Sequence, residues 1–403
     1  MPRIFEGLKI ADFSWVGVGP ISMRYFADYG ATVVRIESAT HPEHLRLAPP
    51  YKDGIAGVDR TAFYANYNAG KYSAALNLKH PEAREVAKRY FAWADIVAES
   101  FTAGTVDELG LGYEAARAVN PRIIYFSSTN QGQTGPYRSH PGFGTQLVSL
   151  AGFTTLSGWP DRDPAGTYGA YTDFISPRFA ASIVAAALLR RDATGEGMRI
   201  DLAQLEAGLQ FLAPLLLDYT VNGRVATRKG NRSSRAAPHG AYPCLERDRW
   251  CAITVFTDAH WRGLLEAMGS PAWAGDPKFA TLLWRKRHEV ELDEHLGEWT
   301  RGFAMHDLAE MLQGHGVPAY AVQNGQDLYA DPQLEARGHF QEREHAVIGA
   351  HHYDSYGFRL SETAGSAAGP APCLGQHSEK VYGEFLGYTE EELGNLIANG
   401  VVE

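Results

Sequence analysis

Residues 8–13 (LKIADF) alternate apolar and polar positions as a half-buried strand does, and Pro20 stands where a helix opens before ISMRYFADY. Gly30 suits the end of that helix, and ATVVRIE follows as an apolar strand. Together they predict a βαβ unit. The rhythm returns in PEAREVAKRYFAWADIVAES and YEAARAVNPRIIYFSSTNQG, each a helical spacing followed by an apolar strand. Apolar strands alternating with helices predict a parallel sheet covered by helices, so residues 1–135 read as a doubly wound α/β domain.

The pattern changes at RSHPGFGTQLVSLAGFTTLSGWPDRDPAGTYGAYTDFISPRFAASIVAAALLRR, where loops rich in Gly, Pro and aromatic residues precede a long apolar helix. Ser176 fits its N-cap and Pro177 its first helical position, which puts Asp173 just ahead of the helix. Residues 224–242 (RVATRKGNRSSRAAPHGAY) are polar and basic and read as a linker or mobile loop. From YPCLERDRWCAITVF to LQGHGVPAYAVQN, strands and short helices predict a smaller α+β lobe; beyond it, DLYADPQLEARGHF and GAHHYDSYGFRLS have no decisive periodicity. The expected division is a large Rossmann-like domain at 1–205, a linker at 206–235, a small α+β domain at 236–325, and a return to the large domain at 326–403.

Composition narrows the function. With 403 residues, 45% hydrophobic and 21% charged, the chain can bury a large core, and a net charge of −10 argues against nucleic acid or an anionic membrane as the main partner. Three cysteines, Cys244, Cys251 and Cys373, lack Cys-x-x-Cys spacing and fit a cytoplasmic enzyme. The opening MPRIFEGLKI has no apolar signal core, and no stretch reads as the roughly 20 apolar residues that span a bilayer. Fifteen histidines offer no metal-ligand spacing, and no Gly-x-Ser-x-Gly elbow occurs, so no metal site and no serine hydrolase is indicated.

Two features carry candidate chemistry. Gly17, Gly19 and Ser22 fall on the Gly-x-Gly-x-x-Gly positions of a dinucleotide-binding turn, with Glu37 placed about 20 residues on to grip a ribose. Ser22 replaces the third glycine and Pro20 interrupts the motif, so a plain strand-to-helix turn is the alternative to a nicotinamide site. Asp173, before a helix and in a Gly- and aromatic-rich loop, reads either as a capping or surface acid or as a nucleophile that the helix dipole keeps ionised.

With these residues in view, the whole chain resembles the family III CoA-transferases, the group of formyl-CoA and carnitine CoA-transferases. Six blocks carry the resemblance in order: ADFSWVGVGPISMRYFADYGATVVRIES, NYNAGKYSAALNLKHPEA, AESFTAGTVDELGLGYEAARAVNPRIIYFS, GQTGPYRSHPGF, TGEGMRIDLAQLEA and LYADPQLEARGHF. The resemblance assigns the glycine turn to a CoA thioester and puts the family's nucleophilic aspartate on Asp173, with Thr172 in place of the usual preceding Gly. CoA-lining positions carry over to Val16, Leu76, Lys79 and Phe101. Ser38, Ser100 and Glu108 stand where formyl-CoA enzymes have Arg, Asn and Arg, which leaves Lys71 and Arg138 as candidate cations for the CoA phosphates.

The basic segment GNRSSRAAPHGAY replaces the formyl enzymes' glycine flap, so Arg232, Arg235 and His239 are the candidate acyl-binding residues. Racemases of the same fold pair the aspartate with a histidine, but Gly142, Phe143 and Gly144 stand in that stretch, and phenylalanine cannot exchange a proton. The resemblance implies CoA transfer through an aspartyl anhydride and an aspartyl-CoA thioester, with no cofactor beyond CoA as substrate. It further implies an interlocked ring-like dimer, either a homodimer or a pair with a paralogous subunit. PYKDGIAGVDRTAFYANYNAGKYSAALNL and GAHHYDSYGFRLS are similar to the catalytic subunit of the benzylsuccinate branch, which implies succinyl-CoA as donor and benzylsuccinate or another substituted succinate as acceptor.

Overall fold

The structure, a computed structural model, describes residues 3–363, 365 and 368–403. Six strands form one parallel sheet in the order β3-β2-β1-β4-β5-β6: β1 Lys9–Asp12, β2 Thr32–Glu37, β3 Tyr72–Ala75, β4 Ile96–Glu99, β5 Ile124–Thr129 and β6 Met198–Ala203. This is the doubly wound order, and it reverses direction between β1 and β4, where such folds leave a crevice at the strands' carboxyl ends. Successive residues point to opposite faces. Ile10, Val33, Ile96 and Ile124 join Phe26 of α1 (Val18–Asp28) on one face. Ala11, Val34, Val97 and Tyr125 join Tyr90 and Phe91 of α2 (Ala83–Trp93) on the other. The alternation seen in LKIADF and the helical spacing after Pro20 and Glu82 thus match the elements that form.

Contacts divide the chain into two compact units, one of residues 1–154, 166–225 and 333–403, the other of residues 155–165 and 226–332. The second unit carries an antiparallel sheet, β7-β8-β9 (His239–Pro243, Trp250–Thr254 and Ala319–Ala321). Cys251 and Ile253 of β8 lie in a core with Trp261, Leu264, Leu292, Leu296, Leu308 and Leu312.

Several local expectations are corrected. The stretch 206–235 does not open as a linker: residues Ala213–Asn222 are helical and lie in the first unit. GAHHYDSYGFRLS contributes a strand, Gly349–Asp354, paired antiparallel with Phe340–His345, and its Tyr353 is fully buried. The long helix runs from Tyr171 to Thr194, so Ser176 and Pro177 are internal to it rather than its cap and first position. That helix, α3, is by length and composition long and apolar enough to cross a membrane, which corrects the expectation that no stretch is. Ala180, Val184, Ala187 and Leu188 pack it against the sheet as a core helix.

Candidate active site

The crevice at the carboxyl ends of β1, β4 and β5 is a cleft of about 320 Å3 in the first unit. The turn after β1 supplies Trp15 to Val18, β4 leads into Ser100 to Thr102, and β5 ends in Ser128 and Thr129. Asp173 closes the cleft from the first turn of α3.

Two glycines let the aspartate in. A Cβ on Gly17 would lie 2.7 Å from Oδ2 of Asp173, and a Cβ on Gly144 would collide with Oδ1 and sit 2.7 Å from Cγ. A side chain at either place would displace the carboxylate. Asp173 is only 9% exposed, and among the described residues no hydrogen bond or ion pair holds its carboxylate. Burial pushes its carboxyl up to about 7. This corrects the expectation that the helix dipole keeps it ionised: the dipole is worth about 0.3–1 kcal/mol, less than the desolvation of a nearly enclosed charge. The N–H groups of Tyr171 and Thr172, in the opening turn of α3, are of the kind a helix leaves without an internal acceptor, and Pro177 has no N–H to offer the Asp173 carbonyl.

The turn facing Asp173 is clamped. Val16 adopts φ 63°, a left-handed conformation uncommon for a β-branched residue, and its N–H donates to Oε2 of Glu43 at 3.0 Å. Trp15 N–H donates to Oγ of Ser100 at 2.7 Å, and that hydroxyl donates back to the Trp15 carbonyl at 3.2 Å. Ser100, a departure from the formyl-CoA enzymes, therefore shapes the site through the backbone. Glu43 accepts in turn from Arg35 Nη2 at 2.8 Å, within a fully buried ionic network.

Val16, Phe101 and Arg138 line the same cleft as Asp173, and the Arg138 side chain is exposed. Lys79 does not line it; its ammonium lies 2.8 Å from His41 Nε2 at the surface. Two expectations are corrected. Leu76 is fully buried in the core beside Val86 and Ala87, so its side chain is not available to a ligand. Lys71 is buried too, with Nζ donating to Asp12 Oδ2 at 2.8 Å and to the Pro20 carbonyl and Asn68 Oδ1 at 3.0 Å each. All three donors of the ammonium are used internally, which removes it as a phosphate ligand.

Arg232, Arg235 and His239 lie in the second unit. Arg232 Nε is 3.6 Å from Glu289 Oε2, and His239 Nδ1 contacts the Asn231 carbonyl, so only Arg235 matches the expectation of a free cation. The nicotinamide reading fails at Glu37. That carboxylate is buried and accepts from Arg46 Nε at 2.7 Å, Arg46 Nη2 at 2.9 Å and Tyr64 at 2.7 Å, leaving nothing for a ribose.

Sequence reading missed other groups in the cleft. His44, His140 and Gln204 line it, and among the described residues the buried Ser128 Oγ, Thr129 Oγ1 and Gln204 Oε1 have no hydrogen-bond partner. Unsatisfied buried polar atoms are costly, so their concentration beside an unpaired carboxylate marks a place for a polar ligand. The residues come from strands and helices far apart in the chain, and no local motif joins them.

A buried carboxylate, unpaired among the described residues and facing a narrow cleft at the switch point of a Rossmann-like sheet, suits acyl transfer better than hydride transfer. Comparison with known proteins gives the class. The family model of CoA-transferase family III matches residues 5–378, and the chain belongs to that family. It is 31% identical to the succinyl-CoA–D-citramalate CoA-transferase of Chloroflexus aurantiacus, over 100% of this chain and 98% of that protein. It is 30% identical to the succinate–glutarate CoA-transferase of Agrobacterium fabrum, over 94% of this chain and 95% of that one. The crystal structure of a CAIB/BAIF family protein from Brucella suis superposes with a TM-score of 0.88 at 29% identity, covering 96% of this chain and 100% of that one. Family III enzymes use CoA as a substrate and no separate cofactor.

Proposed function

We propose that the protein moves CoA from succinyl-CoA to a short dicarboxylate acceptor, with Asp173 as nucleophile. The supporting observation is the Asp173 carboxylate, enclosed between Gly17 and Gly144 without a counter-ion. Desolvation without pairing leaves an ionised carboxylate reactive, whereas a salt bridge would spend the same charge on structure. Asp173 attacks the donor acyl carbon, the C–S bond breaks, and CoA leaves as thiolate with a mixed anhydride behind it. The thiolate then attacks the Asp173 carbonyl, releasing the donor carboxylate and forming an aspartyl-CoA thioester. The acceptor carboxylate attacks that thioester and the thiolate returns to the acceptor acyl carbon, which restores Asp173. Free amides at the start of α3 and around Gly169 stabilise the oxyanions.

Val16, Phe101 and Arg138 hold the CoA arm in this reading, Arg138 in place of the family arginines absent at Ser38 and Glu108. The acceptor reading leans on the dicarboxylates named for the two relatives. Within that class the resemblance to the benzylsuccinate branch points to a substituted succinate, with benzylsuccinate as the aromatic member to assay. The working form is a dimer, homodimeric or with a paralogous subunit. Its support is the helix Ala213–Asn222, which has no buried residue in the single chain and exposes Leu216, Leu217, Tyr219 and Val221.

Incubation with succinyl-CoA followed by hydroxylamine or borohydride should modify Asp173, as read by peptide mass spectrometry. An unmodified Asp173 in an enzyme that turns over would end the covalent mechanism. Solvent-deuterium uptake at the α-carbon without CoA exchange would favour the racemase, for which His44 and His140 are the histidines in the cleft.

A further inference from the structure

The first unit holds a second, larger cavity of about 1060 Å3, whose wall includes Tyr25, Tyr29, Phe63, Tyr67, Phe174 and Tyr356. It abuts the opening of α3: Phe174, the residue after the nucleophile, lines it, and Tyr67 packs edge-on against Phe174 with ring centroids 6.2 Å apart. Two arginines reach this cavity, in opposite states. Arg24 is buried and saturated, with Nε 3.1 Å from Asp28, Nη1 2.8 Å from Asp354 and 2.7 Å from the Asn66 carbonyl, and Nη2 2.5 Å from the Asp354 carbonyl. The Arg178 guanidinium has no hydrogen bond or ion pair among the described residues; its one ring neighbour is Tyr25, with the centroid 5.9 Å away.

A guanidinium without a counter-ion beside an aromatic wall is suited to a planar carboxylate, which takes two parallel N–H bonds. Along α3 the five residues from Asp173 to Arg178 rise about 7.5 Å, with Asp173 lining the smaller cleft and Arg178 this cavity. Phe174 and Arg178, four apart, share one face of α3. Tyr67 lies within electrostatic reach of both ends: burial first, then the charge of Asp173, holds its phenol above the ordinary range, and Arg178 pulls the other way.

We propose that this cavity takes the acyl part of the substrate and that Arg178 clamps the carboxylate that does not react, making it the residue that selects dicarboxylates over monocarboxylates. The aromatic wall leaves room for an apolar substituent on the chain between the two carboxylates. The inference rests on the dicarboxylate reading given above, and it moves the clamp from the basic loop of the second unit to the helix that carries the nucleophile.

The test is the ratio of kcat/KM for glutarate to kcat/KM for valerate with one common donor, so that any effect on the donor cancels. Wild type should favour glutarate strongly. Arg178→Leu and Arg178→Gln should lower the ratio roughly thirtyfold, the scale of one lost charge-assisted pair, mainly through KM of the dicarboxylate. Arg178→Lys should recover part of it, because an ammonium keeps the charge but not the fork. Arg235→Leu should leave the ratio unchanged. Equal loss for both acceptors in the Arg178 variants, or a ratio that collapses only in Arg235→Leu, would overturn the proposal. A wild-type enzyme without preference for glutarate would instead overturn the dicarboxylate reading on which it stands, and the two failures are read from different enzymes.

Discussion

Two sets of buried carboxylates lie close to the β1 turn, and they differ in what faces them. Asp12, Glu37 and Glu43 lie inside a network with Lys71, Arg35, Arg46 and Tyr64, at distances such as 2.8 Å for Lys71 to Asp12 and 2.7 Å for Arg46 to Glu37. Burial opposes the charge of all three: Lys71 and Arg35 outweigh it at Asp12 and Arg46 outweighs it at Glu37, leaving both carboxyls below their ordinary values, whereas at Glu43, with Arg35 as its closest cation, burial prevails and the carboxyl stays above its own. Asp173 is about as buried, has no cation among the described residues, and moves up to about 7, opposite to Asp12 and Glu37. At similar burial, the number and closeness of the cations decide which way a carboxyl moves. A paired carboxylate is fixed as structure, and an unpaired one is kept ready to react. The two are joined at Val16, where Glu43 of the network holds the backbone that faces Asp173.

The comparison is broken most sharply by removing the reactive member. Asp173→Ala should lower transfer by at least about a thousandfold in kcat while circular dichroism and CoA binding stay near wild type, because a covalent step has lost its nucleophile. Activity near that of wild type would place the chemistry elsewhere.

Removing a member of the network should do the reverse. Lys71→Met leaves Asp12 buried without its closest cation and should cost about 3–5 kcal/mol in urea unfolding, with the folded fraction still turning over. A selective rise in the KM of the CoA thioester, without loss of stability, would return Lys71 to the phosphate site.

Asp173→Asn should stabilise the fold, and the pH dependence sharpens the contrast. The carboxyl has an ordinary value of 3.8 and a folded value of about 7. Below about pH 4 it is protonated in folded and unfolded chains alike, so the variant should gain nothing. Between pH 4 and 7 the unfolded chain ionises first and wild-type stability falls; above pH 7 the variant should be ahead by about 2–4 kcal/mol in urea midpoints at equal slope. A gain at pH 3, or a loss at pH 8, would contradict an unpaired buried carboxylate.

Gly144→Ala should shift Asp173 by about an ångström and lower kcat roughly 10–100-fold, with less effect on stability than Lys71→Met. The smallest effect is in the wild type itself, where kcat/KM for the donor should fall on the acid side of about pH 7 as Asp173 takes up its proton. A profile flat down to pH 5 would argue against that ionisation.

The βαβ rhythm of the first 135 residues is legible because strand alternation and helical spacing are local and repeat, and the parallel sheet they predict forms, in an order that only the structure gives. The long α3 helix was legible in kind but not in its start, since Pro177 reads locally as a beginning and is carried here as an internal residue by packing on the sheet. The Phe340–Asp354 hairpin was missed, because only Tyr353, His345 and Ile348 are buried and its outward positions include apolar and histidine residues. Lys71 is a candidate phosphate cation in the sequence because a sequence shows its charge and not the Asp12 carboxylate, 59 residues away, that takes it.

By itself, the sequence determined the α/β class, the place of the turn after β1 and the acid at position 173 that is proposed as nucleophile, all of which depend on local pattern or on block order along the chain. Tertiary structure alone decided which charges cancel. It paired Lys71 with Asp12 and Glu37 with Arg46, left Asp173 and Arg178 without partners among the described residues, and brought Gly17 and Gly144 to the two sides of one carboxylate. The physical reason is that a carboxylate's reactivity is set by the dielectric and the charges within a few ångströms of it, and in a folded chain those neighbours come from anywhere in the sequence.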